Sequence, residues 1–467
     1  MQYSIVNYKT VKENSDFRID SEYFRPEYLE LEKELLDYRC NSIDSIGYVT
    51  DGEHGAVELK EEGIKYLMAE NIKNGYVDLT NIRYIDEAVN KRNKRAAVKK
   101  GDVLVSIKGS LGQVAVAEDW LLPANLSRDV AIIKIKEESI LSEYLAIYLQ
   151  SNIGQKMSAR LGSGGVQQMI TLGRLREIQI PIVKNDFQKI IQNLYIKSQI
   201  FISNSKSLYS QAEELLLSEL GLTDWKPKHE LSFIKNFSDT HEAERFDAEY
   251  FQPKYEEIIE AVKKYKGGFD DLGNLVKIKD KNFTPKDDEE YKYIELANIS
   301  ANGEINGYTE NLGKELPSRA RRKVQKDDLI VSSIEGSLDS IALISENLQN
   351  ALCSTGFFVI QSENINSETL LILLKTKVGQ LQLKRGCKGT ILTATSKDEL
   401  SKIVLPKIDS KTQGEIKKKI IEMYETKRLS KSLLEIAKRG VEMAIEKDEQ
   451  EAKKWINSEC KKIGVKI

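Results

Sequence analysis

Histidine and cysteine are scarce in this chain, and their scarcity narrows the chemistry that it can perform. The 467 residues include three histidines and four cysteines. The cysteines are widely spaced and form no C-x-x-C pair, so they indicate neither a disulfide framework nor a zinc site. With so few histidines, the chain has little for the general acid–base and metal mechanisms that depend on that side chain.

A net excess of charge and a long apolar run are also missing. The 70 Lys and Arg residues nearly balance the 72 Asp and Glu residues, which argues against a uniformly basic nucleic-acid coat and against an acidic tail. No apolar run approaches the roughly 18–20 residues that a membrane-spanning helix needs. The first residues also lack a basic segment followed by an apolar one. We therefore expect a cytoplasmic protein with no membrane partner.

The familiar enzyme motifs are absent as well. The sequence has no G-x-x-x-x-G-K-[ST], no G-x-S-x-G, no H-E-x-x-H and no N-P-P-[YF] or D-P-P-[YF]. The nearest nuclease-like group is Asp51, Glu58 and Lys60, because an acidic residue followed by E-x-K can hold a metal ion and activate water. The second half of the chain does not repeat this group, and we interpret His54 beside it as a surface loop residue.

What the chain does contain is an internal duplication, which is the first pattern to look for in a sequence. At a shift of 227 residues, RIDSEYFRPEY (18–28) aligns with RFDAEYFQPKY (245–255), and seven of the eleven positions are identical. We call this segment the aromatic-proline motif. The register continues, with one or two deletions, as far as Pro181 and Pro406. Agreement over so long a stretch indicates two copies of one domain.

Both halves show the same order of predicted elements. An amphipathic segment follows the aromatic-proline motif, and Val- and Ile-rich runs such as GDVLVSI and DDLIVSSI then predict short strands. A short helix comes next (141–151 and 367–381). A Gly-rich turn and a strand ending in proline (176–183 and 400–406) complete the domain.

Each half closes with a long polar segment, at about 187–220 and about 411–447, in which apolar residues recur at 4/3 spacing. Such a stripe predicts a helix that pairs with another helix, roughly 50 Å long at 1.5 Å per residue. A two-fold between the halves would make the helices antiparallel; alternatively, each helix packs on its own domain. The predicted helix-pair residues are Ile191, Leu194, Phe201, Leu208, Leu215, Ile416, Ile420, Met423, Leu434 and Val441. Polar residues that could admit a partner helix interrupt the stripe at Ser198, Ser205, Lys427 and Ser430.

These patterns predict an α+β fold in which two repeated α/β domains are separated by two long antiparallel coiled-coil helices with pseudo-two-fold symmetry. The predicted boundaries are 1–183 and 225–407 for the domains. The first helix is predicted at 184–224, and the second helix with a C-terminal tail at 408–467. The tail has no copy at the end of the first helix.

Positive charge is concentrated at one place in each repeat. Residues 82–100 contain seven basic and two acidic residues, and residues 314–326 contain six basic and one acidic residue, a local net charge of +5 in each case. Phosphate contacts need such concentration, because each neutralised phosphate releases a counterion. A solvated face is the alternative for either patch, but two patches at equivalent positions favour phosphate binding.

A Gly-rich turn follows in each repeat, at 159–175 and 383–400. Glycines let a backbone approach a ligand closely. Side chains beside them can read bases, because Gln pairs with adenine, Arg and Lys with guanine, and Thr meets the thymine methyl. An ordinary turn before a strand is the alternative.

Together these motifs resemble the specificity (S) subunits of type I DNA restriction-modification systems. The resemblance covers essentially the whole chain, and it rests on four features that occur in the same order in both halves. These are the motifs YFRPEY and YFQPKY, the strands KGDVLVS and KDDLIVS with a following G-S-L, the Gly-rich turn leading into the proline-ended strand, and the Gln-led helix after it.

The resemblance implies a function and a set of partners. Each half would be a target recognition domain that reads one half of a split double-stranded DNA site, and the helices would set the gap between the half-sites. The chain would have no catalytic residue, metal or cofactor of its own. It would recruit two methyltransferase (modification) subunits for DNA methylation and, with restriction/translocase subunits, form an ATP-dependent endonuclease.

The residues expected to contact DNA come from the basic patches, the G-S-L loops and the Gly-rich turns. They are Lys91, Arg92, Lys94, Arg95, Lys108, Ser110, Arg160, Ser163, Gly164, Gly165, Gln167, Gln168, Arg319, Arg321, Arg322, Lys323, Ser337, Lys384, Arg385, Lys388 and Thr390. Two functions of other classes remain as alternatives: a duplicated protein-interaction scaffold that does not bind nucleic acid, and a self-sufficient nuclease.

Overall fold

The structure is a computed structural model, and it forms two compact units. Unit 1 consists of Met1–Ser203 and Lys427–Ile467, and unit 2 is Asn204–Thr426. Each unit therefore takes in part of both long helices. The structure describes residues 4–13, 18–36, 38–162, 168–389 and 393–467.

Unit 1 contains the elements of the first repeat and the C-terminal end of the chain. Its helices are α1 Tyr8–Glu13, α2 Pro26–Leu36, α3 Ile43–Ile46, α4 Glu87–Arg92, α5 Ser142–Gln150, α6 Asn152–Leu161, α7 Leu172–Glu177 and the first part of α8 Asn185–Glu219. Its strands are β1 Cys40–Ser42, β2 Gly47–Asp51, β3 Ile64–Leu67, β4 Ile72–Lys73, β5 Tyr76–Val77, β6 Arg83–Ile85, β7 Val103–Ser106, β8 Val114–Val116, β9 Ala124–Leu126, β10 Val130–Ile135 and β11 Gln179–Pro181.

The central sheet of unit 1 has the strand order β2-β10-β7-β8, and its neighbours are antiparallel. A second sheet has the order β6-β3-β9. Val103 and Val105 pack into the core with α5 and α6, whereas Leu104 packs into the core shared with the second sheet. Because apolar layers cover both faces of the central sheet, β7 is buried throughout and does not alternate between buried and exposed residues.

Unit 2 repeats this order of elements. Its helices are α9 Phe237–Glu242, α10 Pro253–Lys263, α11 Leu272–Leu275, α12 Ser367–Lys375, α13 Lys377–Arg385, α14 Lys397–Ser401 and the first part of α15 Ser410–Glu446. Its strands are β12 Phe269–Asp271, β13 Val276–Ile278, β14 Glu290–Ile294, β15 Thr309–Leu312, β16 Ala320–Lys323, β17 Leu329–Ser332, β18 Ile341–Leu343, β19 Leu352–Ser354, β20 Phe357–Ser362, β21 Cys387–Lys388, β22 Ala394–Thr395 and β23 Val404–Pro406.

The two units share their topology, which supports the predicted duplication. The central sheet of unit 2, β13-β20-β17-β18, has the same order as that of unit 1, and the paired strands β12 and β23 match β1 and β11. The second sheet differs, because unit 2 adds β16 to give β15-β14-β19-β16. At the place that β16 occupies, unit 1 has a single 3-10 turn, Lys94–Ala96.

The helix predicted at 367–381 is in fact two helices, α12 and α13. Thr376 is extended between them, with φ −78° and ψ 172°. Gly379 in α13 lies directly against the backbone of Leu374, so the second helix turns back closely on the first. Gly154 makes the same approach to Tyr148 and Leu149 where α6 follows α5. The apolar periodicity continues across the break, and this is why the sequence pattern does not reveal it.

A buried aspartate lies beside the central sheet at the same position in each unit. Asp102 accepts a hydrogen bond from the Lys99 backbone N–H and lies 3.3 Å from the Lys134 ammonium, while Asp328 accepts one from the Gln325 N–H and lies 2.6 Å from Lys279. Burial raises the pKa of Asp102 and of Asp328, although the neighbouring lysines oppose it. The carboxylate thus has the same position in both repeats, but the lysine comes from β10 in unit 1 and from the residue that follows β13 in unit 2.

The long helices lie antiparallel within each unit. In unit 1 the Ser430 hydroxyl of α15 donates to the Ser198 carbonyl of α8 at 2.8 Å. In unit 2 the Lys419 ammonium of α15 donates to Gln211 of α8 at 2.8 Å. Ser198 and Ser430 are buried, so these interruptions of the apolar stripe are contacts of the helix pair itself.

The predicted helix-pair residues also pack on the rest of their own unit. All are buried or partly buried in the two main cores. Leu434 lies against Gly75, and the amide of Asn302 lies 3.2 Å from the sulfur of Met423. The stripe therefore serves both helix pairing and domain packing, so the two predicted alternatives are combined rather than exclusive.

The C-terminal segment, which the sequence did not place, forms helix α16, Glu449–Lys462. Ala452, Ile456 and Cys460 are buried in the unit 1 core, and Lys453 pairs with Asp186 at the start of α8. None of the helices in the described ranges combines the length and hydropathy that crossing a bilayer requires.

Candidate nucleic-acid interface

One edge of the unit 1 central sheet gathers loops that are far apart in sequence. Because neighbouring strands are antiparallel, β2 and β7 end where β10 begins: Asp51 pairs with Ala131, and Ser106 pairs with Val130. Bridges from Glu53 to Ser127 and from Lys108 to Met169 extend this edge. The unit 1 loop edge, as we define it, comprises residues 51–54, 92–95, 107–112, 127–129 and 168–169.

The first basic patch contributes two arginines to the unit 1 loop edge, and both meet carboxylates. Arg92 lies 3.3 Å from Glu53. Arg95 lies 3.4 Å from Asp51 and donates to the Thr50 hydroxyl at 2.9 Å. These ion pairs orient the arginines and offset part of their charge. Neither carboxylate was predicted as part of the DNA interface; Asp51 was considered only for the nuclease-like group.

Three lysines of the same patch are exposed and unengaged. Within the described residues, no salt bridge or hydrogen bond involves the ammonium groups of Lys91, Lys94 or Lys99. Lys100, in contrast, pairs with Asp119. Lys91 and Lys94 therefore carry most of the uncompensated positive charge beside the unit 1 loop edge, whereas Lys99 lies next to Asp102 at the opposite end of β7.

The G-S-L loop and the start of β10 add a second cluster of charge. Lys108 lies 3.9 Å from Asp129, and Arg128 lies 4.0 Å from the same carboxylate. Ser110 and Gln168 are exposed nearby. Arg128 was not predicted, because its position between β9 and β10 becomes apparent only once the sheets are known.

The second basic patch has a different local structure. Here Arg321 and Arg322 belong to strand β16, and the Arg321 Nε donates to the Ser318 carbonyl at 3.1 Å. Lys323 lies over the Phe283 ring at 5.2 Å, and Arg319 is exposed. Arg322 has a buried Nη1 without a hydrogen-bond partner in the described part of the chain. The predicted patch is thus spread over both faces of a strand.

In each unit the Gly-rich turn is hydrogen-bonded to the segment that carries the G-S-L loop. In unit 1 the Ile170 N–H donates to the Ile107 carbonyl at 3.0 Å, and in unit 2 the Thr395 N–H donates to Ser333 at 2.8 Å. Each turn therefore lies against the G-S-L loop of its own unit. The predicted residues Ser163, Gly164, Gly165, Gln167 and Thr390 lie outside the described residues.

The remaining predicted residues of unit 2 are partly engaged. Lys388 lies 3.4 Å from Glu399, and the Ser337 hydroxyl lies 2.9 Å from that of Ser332. Lys384 is exposed at the end of α13, whereas Arg385 is half-buried over the Tyr250 ring at 4.5 Å.

Arg160 does not lie on the surface where the sequence placed it. Its residue is 4% exposed, its Nε donates to the Tyr23 carbonyl at 3.1 Å, and its Nη2 donates to Glu32 at 3.1 Å. A guanidinium with these partners is not available to a phosphate or a base. We therefore exclude Arg160 from the candidate interface.

An ion pair next to each Gly-rich turn has opposite polarity in the two units. Arg174 in α7 pairs with Glu177 at 3.0 Å, and at the matching positions Glu399 in α14 pairs with Lys402 at 3.0 Å. Burial acts to raise the pKa of Glu399, but Lys402 and Lys388 outweigh it and lower that pKa. The hydrogen bond to Glu399 raises the pKa of Lys402. The ion pair is therefore present in both repeats, but its acidic and basic residues have exchanged positions.

This exchange predicts that the pair can be inverted in unit 1. Arg174→Glu would place a buried carboxylate beside Glu177, and we expect it to cost roughly 2–4 kcal/mol of unfolding free energy. Adding Glu177→Lys, which reproduces the order in unit 2, is expected to restore at least half of that loss. Denaturant unfolding of the single and double variants measures both effects. A double variant no more stable than Arg174→Glu would show that the two sites are not equivalent.

The nuclease-like group does not come together as a metal site. Asp51 is engaged by Arg95 and by His54, whose Nε2 lies 2.8 Å away, and Glu58 pairs with Lys60. Nowhere in the described ranges do three or more His, Cys, Asp or Glu residues gather as metal ligands would. His54 is 61% exposed, in keeping with a loop residue.

Comparison with known proteins gives a specific family match. The family model for the type I restriction modification DNA specificity domain matches residues 54–194. A curated relative, the type I restriction enzyme EcoBI specificity subunit of Escherichia coli, is 27% identical over 122 residues. That alignment covers 26% of this chain and 26% of the relative, so the match spans about a quarter of the relative's length.

Solved structures of the same kind of subunit also match. One is the S subunit of a type I restriction-modification system from M. genitalium, with 17% identity, 91% coverage of this chain, 96% coverage of that chain and a TM-score of 0.39. Another is the HsdS subunit from Thermoanaerobacter tengcongensis, with 12% identity, 88% and 97% coverage and a TM-score of 0.28. TM-scores this low do not establish a shared arrangement of the whole chain. The sequence match supports the resemblance, and over residues 54–194 the chain is similar to the type I restriction modification DNA specificity domain.

Proposed function

We propose that the chain is the sequence-specific DNA-recognition subunit of a type I restriction-modification complex. One observation carries the proposal. Most of the unit 1 loop edge, including Arg92, Arg95, Lys108 and Arg128, falls inside the segment that matches the DNA specificity domain. The family match and local geometry therefore indicate the same surface.

The residue types on that surface suit two roles, phosphate contact and base reading. The exposed lysines Lys91 and Lys94 can neutralise phosphates, which fixes position and supplies affinity without reading sequence. Arg128, Lys108 and Gln168 are types that bond base edges in the major groove. Ion pairs with Asp129 hold two of these side chains near one place before DNA arrives.

In this proposal each unit reads one half of a bipartite double-stranded site. Helix α8 has 35 residues and α15 has 37, so each is roughly 50–55 Å long. One turn of DNA is about 34–36 Å, so rods of that length could set the gap between half-sites. Two modification subunits would methylate the DNA, restriction/translocase subunits would complete the complex in the cytoplasm, and the chain itself would be non-catalytic.

A gel-shift titration on duplex DNA, with the modification subunits present, tests the proposal. We expect binding that weakens steeply as salt rises, because phosphate contacts release counterions. Competition with random duplex should reveal tighter binding to one bipartite sequence, typically 10³-fold or more. Absence of binding at low salt would contradict the proposal and favour a protein-interaction scaffold. Cleavage by the isolated chain with Mg²⁺ would favour a nuclease.

A further inference from the structure

An arginine in the aromatic-proline motif of unit 1 uses its whole guanidinium internally. Arg18 Nε and Nη2 donate to the two carboxylate oxygens of Asp20, at 2.7 and 2.9 Å. Its Nη1 donates to the carbonyls of Arg160 and Gly162, at 3.2 and 3.0 Å, and its guanidinium carbon lies 4.9 Å from the centre of the Tyr23 ring. The hydrogen bond from Arg18 lowers the pKa of Asp20 and keeps it ionised.

Unit 2 has the same arrangement, almost atom for atom. Arg245 Nε and Nη2 donate to Asp247 at 2.7 and 2.9 Å, and its Nη1 donates to the Arg385 carbonyl at 3.2 Å. Its guanidinium carbon lies 4.4 Å from the centre of the Tyr250 ring. In both units a second arginine, Arg160 or Arg385, lies 4.5 Å from the same tyrosine ring.

The carbonyls that these arginines bind have a particular place in the fold. Arg160 and Arg385 are in the last turn of α6 and α13, the helices that lead into the Gly-rich turns. The last carbonyls of a helix have no partner within it, and a cation there also meets the negative end of the helix dipole. Arg18 and Arg245 therefore fix the point where each helix ends and its turn begins.

The far end of each turn is also fixed. Ile170 and Thr395 bond to the G-S-L loop of their units, as described above, and short helices α7 and α14 follow at once. In unit 1 Arg174 of α7 lies 5.5 Å from the Tyr23 ring, so both ends of the turn meet one cluster. A turn rich in glycine depends on such anchors, because its own backbone is permissive.

We propose that Arg18 and Arg245 are positioning residues for base reading, each acting on the Gly-rich turn of its own unit and so on one half-site alone. This inference rests on the proposed DNA-recognition function. The arginines do not themselves reach DNA, because their side chains are only 16% and 12% exposed and each guanidinium nitrogen donates to a partner within the unit. Lysine cannot replace them, because an ammonium lacks the planar set of N–H groups that binds a carboxylate and a carbonyl while it stacks on an aromatic ring.

Selection from a DNA pool with two randomised segments tests the inference. The full chain, bound to its modification subunits, selects sites, and sequencing measures base discrimination at each half-site. For Arg18→Lys we expect discrimination to fall on the order of 10-fold at one half-site and to persist at the other. Arg245→Lys should give the reciprocal pattern. The salt slope of binding should stay unchanged in both variants, because the phosphate-binding lysines are untouched.

The matched control is Arg25→Lys in the same motif, because Arg25 is exposed and pairs with Glu22 and Glu27. It should leave both half-sites unchanged. Thermal unfolding of every variant establishes that both units remain folded. Full discrimination at both half-sites in folded Arg18→Lys and Arg245→Lys, or equal loss at both, would overturn the inference. A wild-type complex that selects no sequence would instead overturn the proposed function and this inference with it.

Discussion

Replacing Lys91 and Lys94 together with alanine is expected to weaken DNA binding about 60-fold at roughly 0.1 M salt. Each lost phosphate contact lowers the logarithm of the binding constant by about 0.9 for each decade of salt below 1 M. The two ammonium groups are exposed, and none of the described residues pairs with them, so their removal costs little stability. The slope of log K against log salt should fall by about 1.8.

A matched control variant removes the same amount of positive charge from the same unit. Lys454 and Lys461 are exposed on α16, a helix that contacts the start of α8 through Lys453 and Asp186 and contributes no residue to the unit 1 loop edge. Lys454→Ala/Lys461→Ala should leave the salt slope unaltered. If both double variants weaken binding equally, the effect is one of net charge, and the unit 1 loop edge is not the DNA-binding surface. Gel-shift titrations at four or more salt concentrations distinguish these results.

Gly154→Ala is expected to destabilise unit 1 by about 3 kcal/mol, and Gly379→Ala to do the same to unit 2. A β-carbon at Gly154 would lie 2.1 Å from the Tyr148 carbonyl oxygen. At Gly379 it would lie 2.4 Å from the Leu374 α-carbon. Backbone atoms cannot rotate aside as side chains can, so α5 and α6, or α12 and α13, would have to separate.

Thermal unfolding measures this cost as a fall of roughly 6–12 °C in the transition of the affected unit. The control is Gly414→Ala in α15, where no atom lies within 4 Å of the new β-carbon. Alanine is the better helix former, so this variant should gain roughly 0.5–1 kcal/mol. Equal midpoints for Gly154→Ala and wild type would show that the junction can relax and that its glycine is not required.

Much of the fold could be predicted from the sequence, because its signals are local and repeated. The runs around Val103 and Leu329 become the strands β7 and β17, and the 4/3 spacing marks the long helices to within a few residues. The break between α12 and α13 could not be predicted, since the apolar period passes through it. The added strand β16 in unit 2 depends on pairing with β19, which is a long-range contact.

The candidate site was predicted less well, and particular residues show why. Arg160 looks like any arginine beside a Gly-rich turn, yet the aromatic-proline motif, more than 130 residues earlier in the chain, buries it. Arg95 and Lys108 look unpaired in sequence, yet Asp51 and Asp129 lie opposite them. One signal in the sequence was usable. The two repeats have an arginine at the same position of the aromatic-proline motif, Arg18 and Arg245, and both side chains are largely buried.

The sequence by itself determined the duplication, the family resemblance, the two long helices and several of the strands, because register, motif order and apolar period are properties of neighbouring residues. The tertiary structure decided which charges remain available to a ligand. An arginine's partners are set by distance in space, and the contacts of Glu53 with Arg92 and of Arg18 with the end of α6 join residues 39 and 142 positions apart in the chain. Contacts between residues so far apart in the chain produce no periodic pattern in the sequence.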